Sequence, residues 1–110
     1  MVPVPKEPVS QVVFVEDYLQ LVFQEERFSF FDVVEVASDQ RVLPRGQPGF
    51  CDALVGLIGE RAASVAVDDA GDLTVVFGNG SALRARQGSG AGPEAWQFGG
   101  PDGQIIVSPC

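Results

Sequence analysis

The chain has 110 residues, a length typical of one domain, and 45% of them are hydrophobic, which is enough to build a core. It contains no histidine, which excludes Ser-His-Asp and Cys-His catalysis and histidine-containing zinc sites. Seven basic against fifteen acidic residues give a formal net charge of −8. This charge opposes binding to nucleic acid or anionic membranes; it either favours a basic partner or serves solubility alone.

The cysteines and the N-terminus bear on the compartment of the protein. Cys51 and Cys110 are too few for a disulfide framework or a structural zinc site. No run reaches the ~20 apolar residues of a membrane span, and "MVPVPKEPVS" lacks the apolar region of a signal peptide. We therefore expect a cytoplasmic protein that uses no metal or cofactor and contacts neither membrane nor nucleic acid.

The first half of the chain predicts extended structure. Residues 1–9 hold three prolines and are expected to form an N-terminal extension of a single domain that spans 10–110. "QVVFVED" is apolar on both faces, which is typical of a strand covered on both sides. "YLQLVFQ" alternates and sends Leu19, Leu21 and Phe23 inward, and "FSFFDVVEV" predicts a third strand.

A loop and a short helix are expected next. "SDQRVLPRGQPG" contains two prolines and two glycines and predicts a loop. In "GFCDALVGLIGER" apolar residues recur at helical spacing, at Phe50, Leu54, Leu57 and Ile58. Gly59 is placed to end this helix in the left-handed conformation.

The second half returns to alternation. "ASVAVDD" and "LTVVFG" predict two strands joined by a turn, with Leu73, Val75 and Phe77 inward. Asn79-Gly80 is a strong hairpin signal before the next strand, "SALRARQ". "GSGAGP" predicts a loop, and "EAWQF" and "QIIVS" predict two final short strands.

The two halves share a pattern. The strands that start at Leu19 and Leu73 both read Leu-x-(Leu/Val)-x-Phe, and each follows a Val-x-Val strand and an acidic turn. Either the chain repeats a β-meander in tandem, or two meanders share only β patterning. We predict an α+β fold of two tandem antiparallel β-meanders, about eight strands, with one short helix between them packed on a sheet face.

The only tryptophan, Trp96, lies on the same face of "EAWQF" as Phe98 and Glu94. A Trp and a Phe on one face of a short strand indicate a core anchor. Glu94 is expected at the rim of that face, in water or beside Arg84 or Arg86; a functional acid is the alternative.

The remaining polar groupings predict structure more than chemistry. "DDAGD" (68–72) lacks the spacing of a calcium loop and indicates a hairpin turn. Arg84 and Arg86 project together and are expected to balance nearby acids rather than to bind an anion. Cys51 has no accompanying base, which favours a half-buried structural thiol over a nucleophile.

Several segments together resemble a family of small, uncharacterised bacterial proteins. They are the helix "LVGLIGE", the stretch "VAVDDAGDLTVVFGNGSALRA", the strand "EAWQF" and the final "IIVSP". Glu94 and Trp96 match the Glu-Ala-Trp strand that is the hallmark of that family, and Asn79, Gly80 and Leu83 match a second motif. The family has no established activity; its small, acidic members are similar to immunity proteins of toxin systems.

Three classes of function are open to such a chain. The first is a non-catalytic acidic module, an immunity or inhibitor protein that occludes a basic toxin or enzyme. Its partner-binding residues are expected in the acidic turns, at Glu16, Asp17, Glu25, Glu26, Asp68 and Asp69. The alternative is a small-ligand-binding or homodimeric scaffold domain that uses an aromatic sheet face. Catalysis is the third class, and we expect none because no residue spacing supports it.

Overall fold

Ten strands and one short helix make up the fold of the computed structural model, which describes residues 2–38, 41–86, 95–100, 102–103 and 105–107. The first five strands are β1 (Gln11–Phe14), β2 (Leu19–Phe23), β3 (Glu26–Phe30), β4 (Val33–Ser38) and β5 (Arg41–Pro44). After the helix α1 (Phe50–Val55) come β6 (Ala62–Val67), β7 (Leu73–Phe77), β8 (Ala82–Arg86), β9 (Trp96–Gly99) and β10 (Ile105–Val107). The α+β class is confirmed in the coarse form of antiparallel β with one short helix, but the strands number ten instead of about eight.

The strands form two five-stranded antiparallel sheets. Sheet A has the order β1-β2-β3-β9-β10, and sheet B has the order β5-β4-β8-β7-β6. Alternation places one side of each inner strand in a common core, so that Leu19, Leu21 and Phe23 of β2 are fully buried and the residues between them are not. The buried faces of the two sheets pack against each other, where the rings of Phe23 and Phe77 stack with centroids 6.5 Å apart.

Each sheet combines a three-stranded meander from one half of the chain with a hairpin from the other half. β4 and β5 follow β3 in sequence, but β4 pairs with β8, with Val36 opposite Leu83. β9 and β10 follow β8, but β9 pairs with β3, with Phe28 opposite Phe98. Sheet A runs β1-β2-β3-β9-β10, and sheet B, read from its other edge, runs β6-β7-β8-β4-β5. The two predicted tandem meanders are present as β1-β2-β3 and β6-β7-β8, but each sheet is completed by a hairpin from the other half of the chain, so the hairpins are exchanged.

The chain changes sheets at Phe31 and Asp32, which divide the predicted strand "FSFFDVVEV" into β3 and β4. Phe28 and Phe30 face the core, whereas Phe31 is 40% exposed and its ring lies 5.5 Å from that of Tyr18 on the outside of sheet A. The aromatic residues on both faces of this segment thus have separate surroundings, the core on one side and the outer face of sheet A on the other.

Two edge strands differ from their predictions. β5 lies within the segment predicted as a loop: Leu43 is buried opposite Val36 of β4, and Pro44 is tolerated because β5 is at an edge. β1 was predicted to be covered on both sides, but it is the edge strand of sheet A and Phe14 is 44% exposed. Apolar residues on both faces of β1 therefore do not indicate cover on both faces.

The helix α1 buries the predicted stripe over a shorter length than expected. Phe50, Leu54 and Leu57 are buried, whereas Ile58 is 46% exposed. The α-helix has six residues and is followed by tighter turns in which N–H groups donate three residues back. These turns end at Gly59, whose φ of +93° confirms the predicted left-handed ending. At six residues, the helix of the described segments cannot span a membrane.

Residues 2–9 lie along the domain without forming a strand. Val2 and Val9 are buried and belong to the hydrophobic core. The backbone of Val9 donates to the carbonyl oxygen of Glu60 (3.0 Å) and accepts from the N–H of Gly59 (2.8 Å). The N-terminal segment is thus attached to the connection that follows α1.

Candidate functional site

Four of the six predicted partner-binding carboxylates lie at one end of the molecule, which we call the acidic end. They are exposed and belong to the β1–β2 and β6–β7 turns, at Glu16, Asp17, Asp68 and Asp69. In sheet A, Trp96 is opposite Phe30, which is opposite Leu19 at the start of β2. The indole Nε1 of Trp96 donates to the carbonyl oxygen of Gly71 in the β6–β7 turn (2.9 Å). This hydrogen bond places the two turns at the same end of the two packed sheets.

The arginines near the acidic end already have partners within the protein. On the outer face of sheet B, Arg84 Nη2 lies 3.6 Å from Asp72 Oδ2 and Arg86 Nη2 lies 3.5 Å from Glu35 Oε1. These ion pairs confirm the prediction that both arginines balance acids. Arg45 Nη2 donates to a backbone carbonyl of the β1–β2 turn (3.0 Å). Neither ion pair uses a carboxylate of the acidic end.

The other two predicted carboxylates, Glu25 and Glu26, lie at the opposite end of sheet A, beside Phe23. They line a cleft of about 400 Å³ together with Lys6 and Glu7. The lysine offsets part of their charge, and the length of β2 separates them from the β1–β2 turn. The structure therefore brings together four of the six predicted residues and leaves these two apart.

Trp96 is a core anchor, as predicted. It is 1% exposed, and Phe98 on the same face of β9 is fully buried. β9 lies between β3 and β10, so these rings sit on an interior strand of sheet A. Glu94, the other residue of the predicted hallmark, lies outside the described residues.

Asp68 builds the turn that carries half of the acidic end. Its Oδ1 accepts from the backbone N–H groups of Ala70 (2.9 Å) and Asp72 (3.0 Å). Two such bonds to nearby backbone are typical of an Asx turn. The prediction of a hairpin turn at 68–72 is confirmed.

Replacing Asp68 with alanine is expected to lower the free energy of unfolding by about 1 kcal/mol, because both acceptor bonds are lost. Asp68→Asn keeps the side-chain oxygen and is expected to retain most of that stability. Urea denaturation followed by circular dichroism measures both variants. Equal losses of unfolding free energy in the alanine and asparagine variants would show that the carboxylate charge, and not the turn hydrogen bonds, stabilises the turn.

Cys51 is exposed in the first turn of α1, and the prediction of a half-buried thiol is wrong. The short helix turns only one stripe, with Phe50 and Leu54, into the core, and Cys51 lies beside that stripe. Cys110 is not among the described residues. Within the described ranges, no group of three or more His, Cys, Asp or Glu residues could hold a metal ion.

A pocket of about 320 Å³ on the outer face of sheet A was not predicted from the sequence, and we call it the sheet A pocket. Most of its lining comes from β2, β3 and β9 and from the residue before β2. The polar lining residues, together with one glycine, are Tyr18, Gln20, Arg27, Ser29, Gln97 and Gly99. Phe31, directly after β3, and Ile105 of β10 also line it. Gln20 Nε2 donates to Ser29 Oγ (3.0 Å), which ties β2 to β3 across the pocket floor.

Only part of this pocket has a local signal in the sequence. The alternation of β2 predicted that Gln20 points outward. Gln97 and Gly99 reach the pocket because β9 pairs with β3, opposite Ser29 and Arg27. That pairing joins distant parts of the chain, and no pattern within either segment indicates it.

No curated protein and no solved structure matches the chain. A family model does match: its description is "Family of unknown function (DUF6188)", and it covers residues 7–110. The match includes both sheets, the helix, the acidic end and the sheet A pocket. It confirms the expected membership of an uncharacterised family, and this chain belongs to DUF6188, a family of unknown function.

Proposed function

We propose that this protein is a non-catalytic, cytoplasmic bacterial binding module whose acidic end docks on a basic protein, as an immunity or inhibitor protein occludes a toxin or enzyme. The observation that carries the proposal is the acidic end itself. Its four exposed carboxylates come from two turns in different sheets and lie at one end of the packed sheets. A surface of this kind attracts a basic partner and repels an acidic one.

Hydrogen bonds hold both turns before any partner binds, and in the β1–β2 turn Val15 bonds through its N–H to Tyr18 and through its carbonyl oxygen to Arg45. Asp68 Oδ1 fixes its own turn, and the bond from Trp96 Nε1 to Gly71 joins that turn to sheet A. A rigid surface loses less conformational entropy on binding than a flexible one. The preformed arrangement therefore supports a docking role.

The tryptophan of the Glu-Ala-Trp pattern, which only the resemblance implies to be a hallmark, has a structural role in this proposal. Trp96 is buried in sheet A and hydrogen-bonded to Gly71, within two residues of Asp69. Its role is to support the acidic end rather than to contact the partner. Substitution of the tryptophan would then weaken binding only through loss of the fold.

The proposal is tested by a triple neutralisation at the acidic end, Glu16→Gln/Asp17→Asn/Asp69→Asn, which spares the turn-forming Asp68. Tagged protein is used to capture partners from native lysate at ~0.15 M and 1 M salt, where the Debye length falls from about 8 to 3 Å. We expect the wild type to retain one dominant basic protein at the lower salt only. The triple variant is expected to lose it, and mass spectrometry identifies the partner.

The matched control removes three acids from the opposite end, in Glu7→Gln/Glu25→Gln/Glu26→Gln. It changes the net charge by the same amount, so it is expected to keep the partner if position matters. Equal loss in both variants would contradict a localised acidic site. Absence of any partner, together with a stable homodimer by light scattering, would contradict occlusion and favour the scaffold function.

A small-ligand-binding function is the second candidate, and a separate observation favours it. The sheet A pocket is a defined concavity with convergent polar side chains, which is the usual form of a ligand site. It shares no lining residue with the acidic end.

A further inference from the structure

The sheet A pocket differs in charge from the chain around it. The protein has a formal net charge of −8, yet among the described lining residues the one formally charged side chain is the cation of Arg27. Arg84 and Arg86 lie beside carboxylates, whereas no ion pair or hydrogen bond joins the Arg27 guanidinium to the residues that the structure describes. A guanidinium that has no partner among the described residues and lies beside uncharged polar groups is suited to bind an anion.

The Arg27 side chain lies against Gly99 of β9. The two residues are opposite each other on β9 and β3. A Cβ added at Gly99 would lie 3.4 Å from Cζ and 3.6 Å from both Cγ and Nη1 of Arg27. Gly99 does not have a positive φ, so the backbone conformation does not require glycine here. The distances are those of ordinary van der Waals contact, so Arg27 packs against β9 at Gly99 and a methyl group there would touch it without displacing it.

The pocket lining changes along β3 from charged to polar to aromatic side chains. Arg27, Ser29 and Phe31 share the outer face, and alternate residues on a strand are about 7 Å apart. Ser29 is flanked on the neighbouring strands by Gln20 and Gln97. The pocket thus has a cation at one side, hydroxyl and amide groups in the middle, and the Tyr18–Phe31 ring pair at the other side.

We propose that the sheet A pocket binds a small organic monoanion in which a carboxylate is joined through an amide-bearing carbon to an apolar or aromatic group. The carboxylate pairs with the Arg27 guanidinium, the amide bonds to the Ser29–Gln97 row, and the apolar group packs against Phe31. A single guanidinium balances one negative charge, and the acidic chain disfavours a dianion such as phosphate. The volume of about 320 Å³ lies at the lower end of the ~300–1,000 Å³ typical of ligand pockets.

This ligand chemistry has two sources, a free N-acyl amino acid and the C-terminal residue of a peptide. The first probe is N-acetylphenylalanine, and its amide, which lacks the negative charge, is the control. A pentapeptide that ends in phenylalanine, with a free or an amidated terminus, is the second pair of probes. Tighter binding of the free pentapeptide assigns the pocket to peptide C-termini, and equal binding of both acids assigns it to the small molecule.

Titrations are followed by amide ¹H–¹⁵N correlation spectra of the full chain. We expect saturable shifts centred on Arg27, Ser29 and Gly99, with a Kd on the order of 1 mM for N-acetylphenylalanine. The neutral amides are expected to give no saturable shift. Absence of saturable shifts with either acid, or equal binding of acid and amide, would overturn the proposal.

Two variants test whether the cation carries the binding. Arg27→Gln is expected to weaken binding of the acid by at least about tenfold, because a charge-assisted pair is lost. Gly99→Ala keeps the arginine and adds only an ordinary contact to it, so this variant is expected to bind the acid as the wild type does. Because Arg27 is exposed, the spectra of its variant should otherwise stay unchanged.

The matched control is Arg41→Gln, which removes the same charge from an exposed position on β5, in sheet B. It is expected to bind N-acetylphenylalanine as the wild type does. A loss equal to that of Arg27→Gln would overturn the site, since only the net charge would then matter. The outcome does not depend on the proposed protein partner, because the probes and variants leave the acidic end intact.

Discussion

Replacing Trp96 with alanine is expected to lower the free energy of unfolding by about 3–5 kcal/mol. The side chain is 1% exposed on an interior strand, so its removal leaves a large cavity between the sheets. It also removes the donor to the carbonyl oxygen of Gly71, itself a buried residue. Since a domain of this kind is stable by about 5–15 kcal/mol in total, the variant is expected to be marginally folded.

Trp96→Phe separates packing from hydrogen bonding. Phenylalanine fills part of the space but leaves the Gly71 oxygen without its donor, which is expected to cost about 1–3 kcal/mol. Urea denaturation is followed by far-ultraviolet circular dichroism, because these variants lack the only tryptophan. Phe14→Ala, on the edge strand and 44% exposed, is the control and should lose less than about 1 kcal/mol. A similar loss for Phe14→Ala and Trp96→Ala would contradict the assigned role of the tryptophan.

Separated halves of the chain, residues 1–60 and 61–110, are expected to be unfolded alone and to fold when mixed. In the first fragment β3 lacks β9 and β4 lacks β8, and in the second fragment the reverse holds. Each fragment would also expose the inner face of its meander, since the opposing sheet is absent. We expect no cooperative thermal transition for either fragment and a cooperative transition for the equimolar mixture.

This experiment tests whether the hairpins are exchanged between the halves. If each hairpin paired with the meander of its own half, every strand pair would survive cleavage, whereas the exchanged arrangement loses the β3–β9 and β4–β8 pairs. Circular dichroism measures secondary structure, and size-exclusion chromatography measures association of the fragments. The control is folded full-length protein that is cleaved after Glu60. Its thermal transition should match that of the reconstituted mixture. A well-dispersed amide spectrum for either fragment alone would contradict the exchanged arrangement.

Local patterns in the sequence predicted much of the core. The inward faces of β2 and β7, which begin at Leu19 and Leu73, are both fully buried. The turn at 68–72 and the left-handed ending at Gly59 are also as predicted. These features depend on side-chain alternation and turn chemistry within a few residues, which a single sequence displays.

The predictions that failed concern residues whose surroundings come from distant segments. β5 forms in a proline-containing stretch because β4 supplies a partner for Leu43. Phe14 is exposed because β1 lies at an edge of sheet A. Cys51 is exposed because the short helix packs along one narrow stripe. In each case the local composition is compatible with either environment.

Each candidate site likewise combines residues that the sequence indicates locally with an arrangement that depends on distant segments. The acidic turns can be recognised in the sequence. Only the structure, through the hydrogen bond from Trp96 to Gly71, shows that the β1–β2 and β6–β7 turns lie at the same end of the molecule. The sheet A pocket needs β9 beside β3, with Gln97 opposite Ser29, and that pairing arises only from the exchange of hairpins.

The sequence by itself determined the acidic charge, the absence of histidine, the strand and turn positions of the central hairpins, and the core face of β9. The tertiary structure alone decided which hairpin completes which sheet and, through that, where both candidate sites form. The physical reason is that alternation and turn geometry are encoded by neighbouring residues. The choice of strand partner is instead made by the joint packing of two whole sheets, to which each segment contributes only a part.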